Sequence, residues 1–355
     1  NGKTCTTPNG ESAICISIYD CQKLLDVVQT SNTEQLRFLR QSQCGYDRNP
    51  LVCCGSDNNF DSTQNSPRRL PVESRNNQIP KNDAIPNRDT CGYQFTERIY
   101  NGNDTNLDEF PWMALLEYSN SSGYRRFSCG GTIINPRYIL TAAHCVTGDV
   151  LKSVGRLVNI RVGEWNIDQE IDCIPDTGTC NSPPQNLGIE ESIVHPQYNN
   201  RRQDRYYDIA LVRLNKKITY STFVRPICLP LPGESSRVGE KLIVAGWGRT
   251  ESAKRSAIKQ KVEVPLADRS KCTSNFRSAG INLKDSQICA GGEAGKDSCT
   301  GDSGGPLMRT TINDVGQWYI EGIVSFGARC GTEGWPGIYT KVLSYLNWIY
   351  KTVKE

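Results

Sequence analysis

The chain has 355 residues, 16 of them cysteines, and carries 41 Lys and Arg against 38 Asp and Glu, a net charge of +3. This charge is too small for the length to indicate nucleic-acid binding, and no Lys/Arg cluster alternates with aromatic residues. No apolar run approaches the roughly 20 residues of a membrane-spanning helix, so the sequence predicts neither a nucleic-acid-binding protein nor a membrane span.

The cysteine content indicates an oxidising compartment, because cytosolic chains of this size rarely carry so many cysteines and an even number permits complete pairing. Secretion is therefore predicted. Asn103 and Asn120 each begin an N-glycosylation sequon, which agrees with that prediction. Since the sequence starts at Asn1 without an apolar leader, we expect a mature form from which a signal peptide has been removed.

The first 54 residues form a small cysteine-rich module. Its six cysteines are Cys5, Cys15, Cys21, Cys44, Cys53 and Cys54. A segment this short has a marginal core that disulfides usually reinforce, and the stretches "CQKLLDVV" and "EQLRFLRQ" indicate short helices. A metal site is the competing interpretation, but the module contains no CxxC pair and no histidine.

Residues 55–90 read as a linker, because Asn, Ser, Asp, Arg and Pro dominate and few apolar side chains are available for a core. Beyond Ile99, strand-length apolar runs such as "WMALLEY", "DIALVRL" and "YIEGIVSFG" recur between turn residues, which predicts an all-β barrel or sandwich. Near the end of the chain, Leu346, Ile349 and Val353 have helical spacing, so we expect a terminal amphipathic helix.

Four short motifs carry candidate catalytic residues. The chain has only two histidines, His144 in "LTAAHC" and His195 in "IVHPQYN", and either could serve as a general base, although a lone histidine is more often structural. Ser303 lies in "GDSGGP", where neighbouring glycines leave backbone N–H groups free to approach a reacting carbonyl. Asp208 begins the apolar run "DIALVRL". Two interpretations are open for it: an ordinary residue at a strand end, or a buried carboxylate that orients an imidazole.

In this order, "TAAHC", "DIAL" and "GDSGGP" closely resemble the chymotrypsin-like serine proteases, from Ile99 to the C-terminus. The resemblance implies a mainly β fold, a double six-stranded β-barrel with a C-terminal helix, over residues 99–355. It assigns Ser303 as nucleophile, His144 as general base and then acid, and Asp208 as the residue that orients His144. The N–H groups of Gly301 and Ser303 would form the oxyanion hole, and His195 becomes structural.

The same resemblance predicts the specificity pocket and the activation step. Asp297 would form the pocket floor and favour an Arg or Lys side chain, while Gly327 and Gly337 would leave the pocket walls open. Cleavage after Arg98, in the tether of residues 91–98, would free the α-amine of Ile99 to pair with Asp302. An activating protease that is itself trypsin-like is implied.

Disulfide partners also follow from this resemblance. The implied pairs are Cys91–Cys228, Cys129–Cys145, Cys272–Cys289 and Cys299–Cys330. Cys173 and Cys180 are left over, and their short loop "CIPDTGTC" is expected to close on itself.

Residues 1–54 resemble the clip domains of arthropod haemolymph proteases, with adjacent cysteines at the end. That likeness implies the pairs Cys5–Cys53, Cys15–Cys44 and Cys21–Cys54, whereas six cysteines alone permit fifteen connectivities.

The complete arrangement resembles the prophenoloxidase-activating factors and Spätzle-processing enzymes of insect immunity. We therefore expect a secreted zymogen endopeptidase of the haemolymph that cuts a downstream zymogen after Arg or Lys and is restrained by serpin-type inhibitors. Toll-ligand processing, a binding or cofactor protein, and a digestive trypsin are the alternatives.

A structural calcium ion is a further expectation, because the stretch "GEWNIDQEIDC" falls where several relatives hold one. The expected ligands are the side chains of Glu164 and Asp172 and the carbonyls of Asn166 and Gln169. Catalysis itself needs no cofactor in this family.

Overall fold

The computed structural model describes residues 3–28, 35, 38–39, 41–47, 49–56, 80–94, 104–173, 178, 180–249, 255–294, 301–310, 316–328 and 331–355. Most of the predicted linker lies outside these residues, as do Arg98, Ile99, Asn103, Asp297 and the pair Cys299 and Cys330.

The N-terminal module contains a four-stranded antiparallel sheet of order β1-β2-β4-β3. Its strands are β1 (Thr4–Thr6), β2 (Ser12–Ser17), β3 (Gln43–Asp47) and β4 (Asn49–Cys54). A 3-10 turn, Ile18–Asp20, leads into helix α1 (Gln22–Val28), as the sequence predicts, while the second predicted helix lies largely outside the described residues. Ile18, Leu24 and Val52 are fully buried between the helix and the sheet.

Three disulfides reinforce this module: Cys5–Cys53, Cys15–Cys44 and Cys21–Cys54. They are the pairs that the clip resemblance implies. Since the core cluster is small, the cross-links supply much of the module's stability by restricting its unfolded chain.

A second sheet has the order β10-β11-β7-β6-β5-β8-β9. Its strands are β5 (Met113–Ser119), β6 (Arg125–Asn135), β7 (Tyr138–Thr141), β8 (Arg156–Val162), β9 (Gln185–Leu187), β10 (Ile189–Val194) and β11 (Ala210–Leu214). The edge strands β9 and β10 are consecutive in the chain and separated only by Gly188. The expected six-stranded barrel is therefore present, with one strand divided into two.

The close approach of Asn215 explains why the edge strand is divided at Gly188. A Cβ atom there would lie 2.5 Å from Asn215 Nδ2, and the Gly188 carbonyl accepts a hydrogen bond from the Asn215 N–H at 2.9 Å. The strand bends at this glycine, so that β9 pairs with β8 and β10 pairs with β11. The sheet is thereby closed on itself.

The third sheet has six strands in the order β13-β12-β15-β16-β17-β14. These are β12 (Lys241–Gly246), β13 (Gln260–Pro265), β14 (Gln287–Ala290), β15 (Pro306–Thr310), β16 (Trp318–Phe326) and β17 (Gly337–Lys341). The largest hydrophobic core contains side chains from both larger sheets, including Trp112 of the segment before β5 and Trp318 of β16, whose rings are 6.2 Å apart. The prediction of a mainly β protein is confirmed.

Helices are few and short in the described part of the chain: α2 (Ala143–Val146), α3 (Asp149–Ser153), α4 (Arg269–Ser278) and α5 (Leu346–Thr352). A 3-10 turn, Val342–Tyr345, precedes α5. Leu346 and Ile349 of α5 are buried against the core, as their spacing predicts. No helix among the described residues has the length and apolar character needed to cross a membrane.

Four further disulfides join Cys91 to Cys228, Cys129 to Cys145, Cys173 to Cys180 and Cys272 to Cys289. These pairs coincide with those expected from the sequence. The first of them anchors residues 80–94, which precede the expected cleavage position, to the body of the protease.

Candidate active site

The pairing of β7 with β11 brings His144 and Asp208 together. Ala210 is opposite Thr141 in this antiparallel pair, so the turn that begins α2 and the residues before β11 lie side by side. His144 Nδ1 is 2.8 Å from Asp208 Oδ2, and the backbone N–H of His144 donates to Oδ1 at 2.9 Å. Both carboxylate oxygens therefore orient the same residue.

Asp208 is completely buried, and two further side chains from the third sheet hold it. Ser325 donates its hydroxyl hydrogen to Asp208 Oδ2, and Thr340 donates to the Asp208 carbonyl at 2.8 Å. Burial by itself would raise the pKa of this carboxyl, but the adjoining His144 and the hydrogen bonds from His144 and Ser325 lower it below its usual value. Asp208 is thus ionised at neutral pH despite its burial.

Ser303 lies in the turn that precedes strand β15 of the third sheet, close to the strands of the second sheet beside which His144 and Asp208 lie. The Gly130 N–H donates to the Ser303 carbonyl at 2.8 Å, which ties the turn before β15 to strand β6 of the second sheet. Gly304 has a φ of +78°, and a Cβ atom there would lie 2.3 Å from Thr141 Oγ1. Only glycine permits this approach to β7. The three predicted triad residues therefore lie where the two large sheets meet.

The predicted oxyanion residues occupy a turn that depends on close backbone contact. Gly301 has a φ of +108°, and a Cβ atom on it would be 2.8 Å from the Cα of Gly248. A side chain at position 301 would displace the segment after β12 that carries Gly248. The N–H groups of Gly301 and Ser303 are the donors that the family resemblance assigns to the oxyanion hole.

Gly327 and Gly337 face each other across the predicted pocket. A Cβ atom built on Gly327 would be 3.6 Å from the Cα of Gly337. Large side chains at either position would fill the space between them. Asp297, the predicted pocket floor, lies outside the described residues.

The Asp302 carboxylate is held against the backbone of the segment that follows β12. Gly248 donates its N–H to Asp302 Oδ1 at 2.9 Å, and Cβ atoms on Gly246 and Gly248 would lie 2.2 and 2.5 Å from that oxygen. The residue before Ser303 is thereby fixed by two glycines. Its predicted activation partners, Arg98 and Ile99, lie outside the described residues.

His195 is buried in an aromatic cluster with Tyr207, Tyr345 and Trp348. Its ring stacks on Tyr207 with the centroids 5.0 Å apart, and burial lowers its pKa. A ring held in this way is neutral at physiological pH and serves packing.

The predicted calcium ligands Glu164 and Asp172 are both buried. Burial raises the pKa of Glu164, and the neighbouring Asp172 carboxylate raises it further; burial likewise raises the pKa of Asp172. Two adjacent buried carboxylates with raised pKa values fit a divalent cation, because positive charge would stabilise both ionised forms. Arg161 Nη1, 3.1 Å from Glu164 Oε2, supplies part of that charge.

The backbone of this loop is already ordered by its own hydrogen bonds. Asp172 Oδ2 accepts the N–H groups of Trp165 and Asn166 at 3.0 and 3.2 Å, and the Asn166 carbonyl accepts the Gln169 N–H at 2.9 Å. The four predicted ligands therefore lie within one hydrogen-bonded loop, residues 164–172.

Cys129, His144 and Cys145 offer possible ligand atoms within 4.8 Å of one another. Both sulfur atoms belong to the Cys129–Cys145 disulfide, so neither is a thiolate. The cluster fixes the position of His144 and does not fit a metal ion.

Ser325 and Thr340 are the site residues that sequence reasoning missed. Each lies within a strand, where a serine or threonine gives no local signal of function. Their role follows from the hydrogen bonds to Asp208, which only the folded structure reveals.

Comparison with known proteins places these observations in context. A family model described as Trypsin matches residues 99–349, and one described as Regulatory CLIP domain of proteinases matches residues 5–54. The chain is 50% identical over 352 residues to phenoloxidase-activating factor 1 of Holotrichia diomphalia, covering 99% of this chain and 93% of that protein. It is 46% identical over 365 residues to serine protease 7 of Drosophila melanogaster, with coverages of 99% and 92%.

A solved structure is also similar, the crystal structure of the Drosophila Grass clip serine protease of the Toll pathway. The match has a TM-score of 0.64 and 33% sequence identity, and it covers 99% of this chain and 97% of that one.

Proposed function

Because the chain belongs to the trypsin family of serine proteases and carries a CLIP domain, we propose that it is a secreted zymogen whose cleavage after Arg98 activates an insect immune protease. It is a serine endopeptidase of the clip-domain class and acts on protein substrates. The single observation that carries the mechanism is the His144–Asp208 pair beside the Ser303 turn, at the junction of the two large sheets.

In the proposed mechanism, the Nδ1–H of His144 donates to Asp208, so that Nε2 accepts the hydroxyl proton of Ser303. Ser303 Oγ then attacks the scissile carbonyl, and the N–H groups of Gly301 and Ser303 stabilise the negative oxygen. His144 returns the proton to the leaving amine. Water, activated by the same imidazole, hydrolyses the acyl-enzyme and regenerates Ser303.

Substrate preference is proposed from the pocket residues. The open walls at Gly327 and Gly337 admit a long side chain, and a carboxylate from Asp297 would pair with Arg or Lys. Activation uses the same kind of charge pairing, because the new α-amine of Ile99 is largely protonated at neutral pH and would bind Asp302.

The proposed cascade leads to phenoloxidase activation. Support comes from the 50% identity to a phenoloxidase-activating factor, which exceeds the 33% identity to the Toll-pathway Grass protease. An upstream trypsin-like protease would cut after Arg98, and serpin-type inhibitors of the haemolymph would end the activity. We propose N-glycosylation at Asn103 and Asn120 for the secreted protein.

The experiment that tests the function measures hydrolysis of a peptidyl-Arg amide before and after limited cleavage, with amino-terminal sequencing of the product. Activity is expected only when a new terminus reading IYNGN appears, and the Ser303→Ala variant should remain inactive. A cleaved chain that neither hydrolyses the amide nor takes a fluorophosphonate label at Ser303 would instead be a binding or cofactor protein. Addition of the cleaved chain to purified insect prophenoloxidase then tests the cascade.

We further propose that Glu164 and Asp172 hold a structural calcium ion, with the Asn166 and Gln169 carbonyls. The bound ion would offset the like charges of the two carboxylates. Millimolar calcium is expected to raise the melting temperature of the native chain but not of Glu164→Gln/Asp172→Asn. Equal melting temperatures with calcium and with chelator would exclude the site.

A further inference from the structure

Helix α2, which carries His144, is a single turn and does not hold itself in place. It spans only Ala143–Val146, and its N-cap residue, Ala142, makes no side-chain capping hydrogen bond. The Thr147 N–H closes the turn by donating to the Ala143 carbonyl at 3.1 Å. Isolated helices of this length are unstable in water, and the last carbonyls of a helix need partners from outside it. The position of His144 therefore depends on contacts with the rest of the fold.

Tyr118 supplies one such contact from strand β5. Its side chain is completely buried, and its hydroxyl donates to the Cys145 carbonyl at 2.6 Å. Strand β5 is hydrogen-bonded to β6 on one side and to β8 on the other, so the donor belongs to a rigid interior strand of the second sheet. The hydroxyl thus ties the residue directly after His144 to that sheet.

Cys145 is well placed to transmit this contact, because it adjoins both His144 and Ser303. Its Sγ lies 3.7 Å from His144 Nε2 and 3.5 Å from the Ser303 carbonyl oxygen. The Asp208 carboxylate holds the other side of His144, through Nδ1 and the backbone N–H. A displacement of Cys145 would therefore change the position of the imidazole relative to Ser303.

The hydroxyl of Tyr118 is the feature that needs an explanation, since a phenylalanine would fill the same space in the core. Burial raises the pKa of Tyr118 far above its ordinary value, which keeps the hydroxyl protonated and able to donate. Without this donor the Cys145 carbonyl would be buried with one hydrogen bond fewer, which is unfavourable. A single-turn helix would shift to recover a partner for it, and His144 would move with the helix.

We propose that Tyr118 is a positioning residue for His144. By fixing the Cys145 carbonyl, its hydroxyl holds α2 so that His144 Nε2 faces Ser303 while Nδ1 stays on Asp208. The role rests on the endopeptidase function proposed above. Tyr118 acts through the imidazole and not on the substrate, and a misplacement of about 1 Å between reacting groups can lower a rate about a hundredfold.

Tyr319 provides a matched control for a kinetic test, because it is also completely buried and its hydroxyl also donates at 2.6 Å, to Gln317 Oε1. We expect Tyr118→Phe to lower kcat for a peptidyl-Arg amide about tenfold and to change KM less than about twofold. Tyr319→Phe should leave both constants as they are in the native enzyme. Steady-state kinetics of the cleaved chains measure the effect, and an unchanged kcat in Tyr118→Phe would overturn the proposal.

The two histidines of the chain allow the imidazole to be observed without any activity. His144 donates from Nδ1 to Asp208, whereas His195 accepts the Gln197 N–H at its Nδ1 at 3.3 Å. The neutral rings therefore carry their protons on different nitrogens. Their signals are distinguishable in a proton–nitrogen correlation spectrum of the uncut chain labelled with nitrogen-15 at histidine.

In Tyr118→Phe, we expect the His144 Nδ1–H to exchange with water about tenfold faster than in the native chain, while the His195 signals stay unchanged. Tyr319→Phe should alter neither. Unchanged His144 signals in Tyr118→Phe would overturn the proposal even if kcat falls, because the loss would then have another cause. If the native chain hydrolyses no amide after cleavage but the His144 signal responds to Tyr118→Phe, the proposed catalytic function fails and the positioning contact stands.

A measurement on the native chain covers the case in which Tyr118→Phe fails to fold, which altered His195 signals would reveal. The hydroxyl proton of Tyr118, assigned through the protons of its own ring, is expected to exchange slowly with water because it is buried and donates to the Cys145 carbonyl. Rapid exchange of this proton would mean that the hydroxyl does not hold the carbonyl, and the proposal would be wrong.

Discussion

Ser325 completes the carboxylate environment that orients His144. Its hydroxyl donates to the same Asp208 oxygen that accepts the His144 Nδ1–H, and both residues are buried. Removal of the hydroxyl leaves an ionised carboxylate with one hydrogen bond fewer in a site without access to water, which weakens its stabilisation of the imidazolium.

We therefore expect Ser325→Ala to lower kcat about tenfold for a peptidyl-Arg amide, with little change in KM. Steady-state kinetics of the activated enzyme measure the effect. Ser153→Ala, which removes an exposed hydroxyl bonded to the Asp149 carbonyl, serves as the control. Unchanged kcat in Ser325→Ala would show that His144 and the backbone hold Asp208 without help.

Lys259 is a buried lysine whose ammonium lies 5.9 Å from the centre of the Trp247 ring. Burial lowers its pKa from 10.5 to about 8. Four carboxylates oppose that shift: Glu109, Asp108, Asp172 and Glu164. Between about pH 8 and 10.5 the unfolded chain binds more protons at this residue than the folded chain does, so folding stability rises with pH in this window.

The free energy of unfolding is expected to gain about 1 kcal/mol from Lys259 between pH 7 and pH 9. Urea unfolding at pH 7, 8 and 9, in chelator so that calcium does not alter the local charge, measures the gain. Lys259→Met removes the titrating group, and its pH profile should lack this increase. Parallel profiles for the two proteins would mean that the buried ammonium keeps an ordinary pKa.

At the residue scale, sequence reasoning finds the groups whose chemistry is rare and locally marked. His144 is one of two histidines, and Ser303 lies among glycines, so each stands out in the sequence. Ser325 and Lys259 acquire their roles from neighbours distant in the chain. Their environment is a property of the packed structure, which spacing alone does not encode.

Between elements, a buried ion pair connects the segment before β5 to strand β13. Lys261 Nζ lies 2.8 and 2.9 Å from the two carboxylate oxygens of Glu109, and both side chains are almost completely buried. Glu109 Oε2 also accepts the Asn106 N–H at 2.9 Å. Loss of one partner would leave the other charge without compensation in the interior.

Lys261→Met is expected to cost about 3 to 5 kcal/mol of unfolding free energy. The double variant Glu109→Leu/Lys261→Met should recover most of that loss, because neither charge then needs a partner. Urea denaturation of the two variants and the native chain gives the comparison. A single variant that loses less than about 1 kcal/mol would indicate that water reaches the remaining carboxylate.

Elements with strong apolar patterns are the ones that the sequence predicts. The runs that became β5, β11 and β16 are apolar and β-branched, and their burial as strands follows from that composition. Helix α4 was not predicted, because only Cys272 and Phe276 of its ten residues are buried. The available signal was Asp268, whose side chain caps the helix by accepting the Lys271 N–H at 3.0 Å.

At the scale of the whole molecule, the structure shows how residues 80–94 are attached to the protease body, to which they would stay bound after the proposed cleavage at Arg98. The Cys91–Cys228 disulfide is one connection. Two backbone hydrogen bonds of Gly92 form a second connection. The Gly92 N–H donates to the Pro226 carbonyl at 2.8 Å, and the Gly92 carbonyl accepts the Trp318 N–H at 2.7 Å. This segment therefore extends the hydrogen bonding of β16.

Side chains add contacts along the rest of the segment. Asn82 Nδ2 donates to the carbonyls of Tyr350 and Val353 at 2.7 and 2.8 Å, at the end of α5. Ile85 is buried in the largest core, and Arg88 forms an ion pair with Glu234. These interactions do not depend on the disulfide. Together they hold the segment against the protease body by packing, hydrogen bonds and an ion pair.

We therefore expect Cys91→Ser/Cys228→Ser, after cleavage at Arg98, to keep both fragments together in native gel filtration. In denaturing urea without reductant, the fragments of this variant should separate, while those of the native enzyme stay linked by the disulfide. Addition of Asn82→Ala and Arg88→Ala to the double serine variant should shift the balance towards release in buffer. Release from the double serine variant alone would mean that the disulfide, and not the packed segment, keeps the CLIP module attached to the active protease. Retention would mean that the noncovalent interface is stable by itself and that the disulfide only adds to its stability.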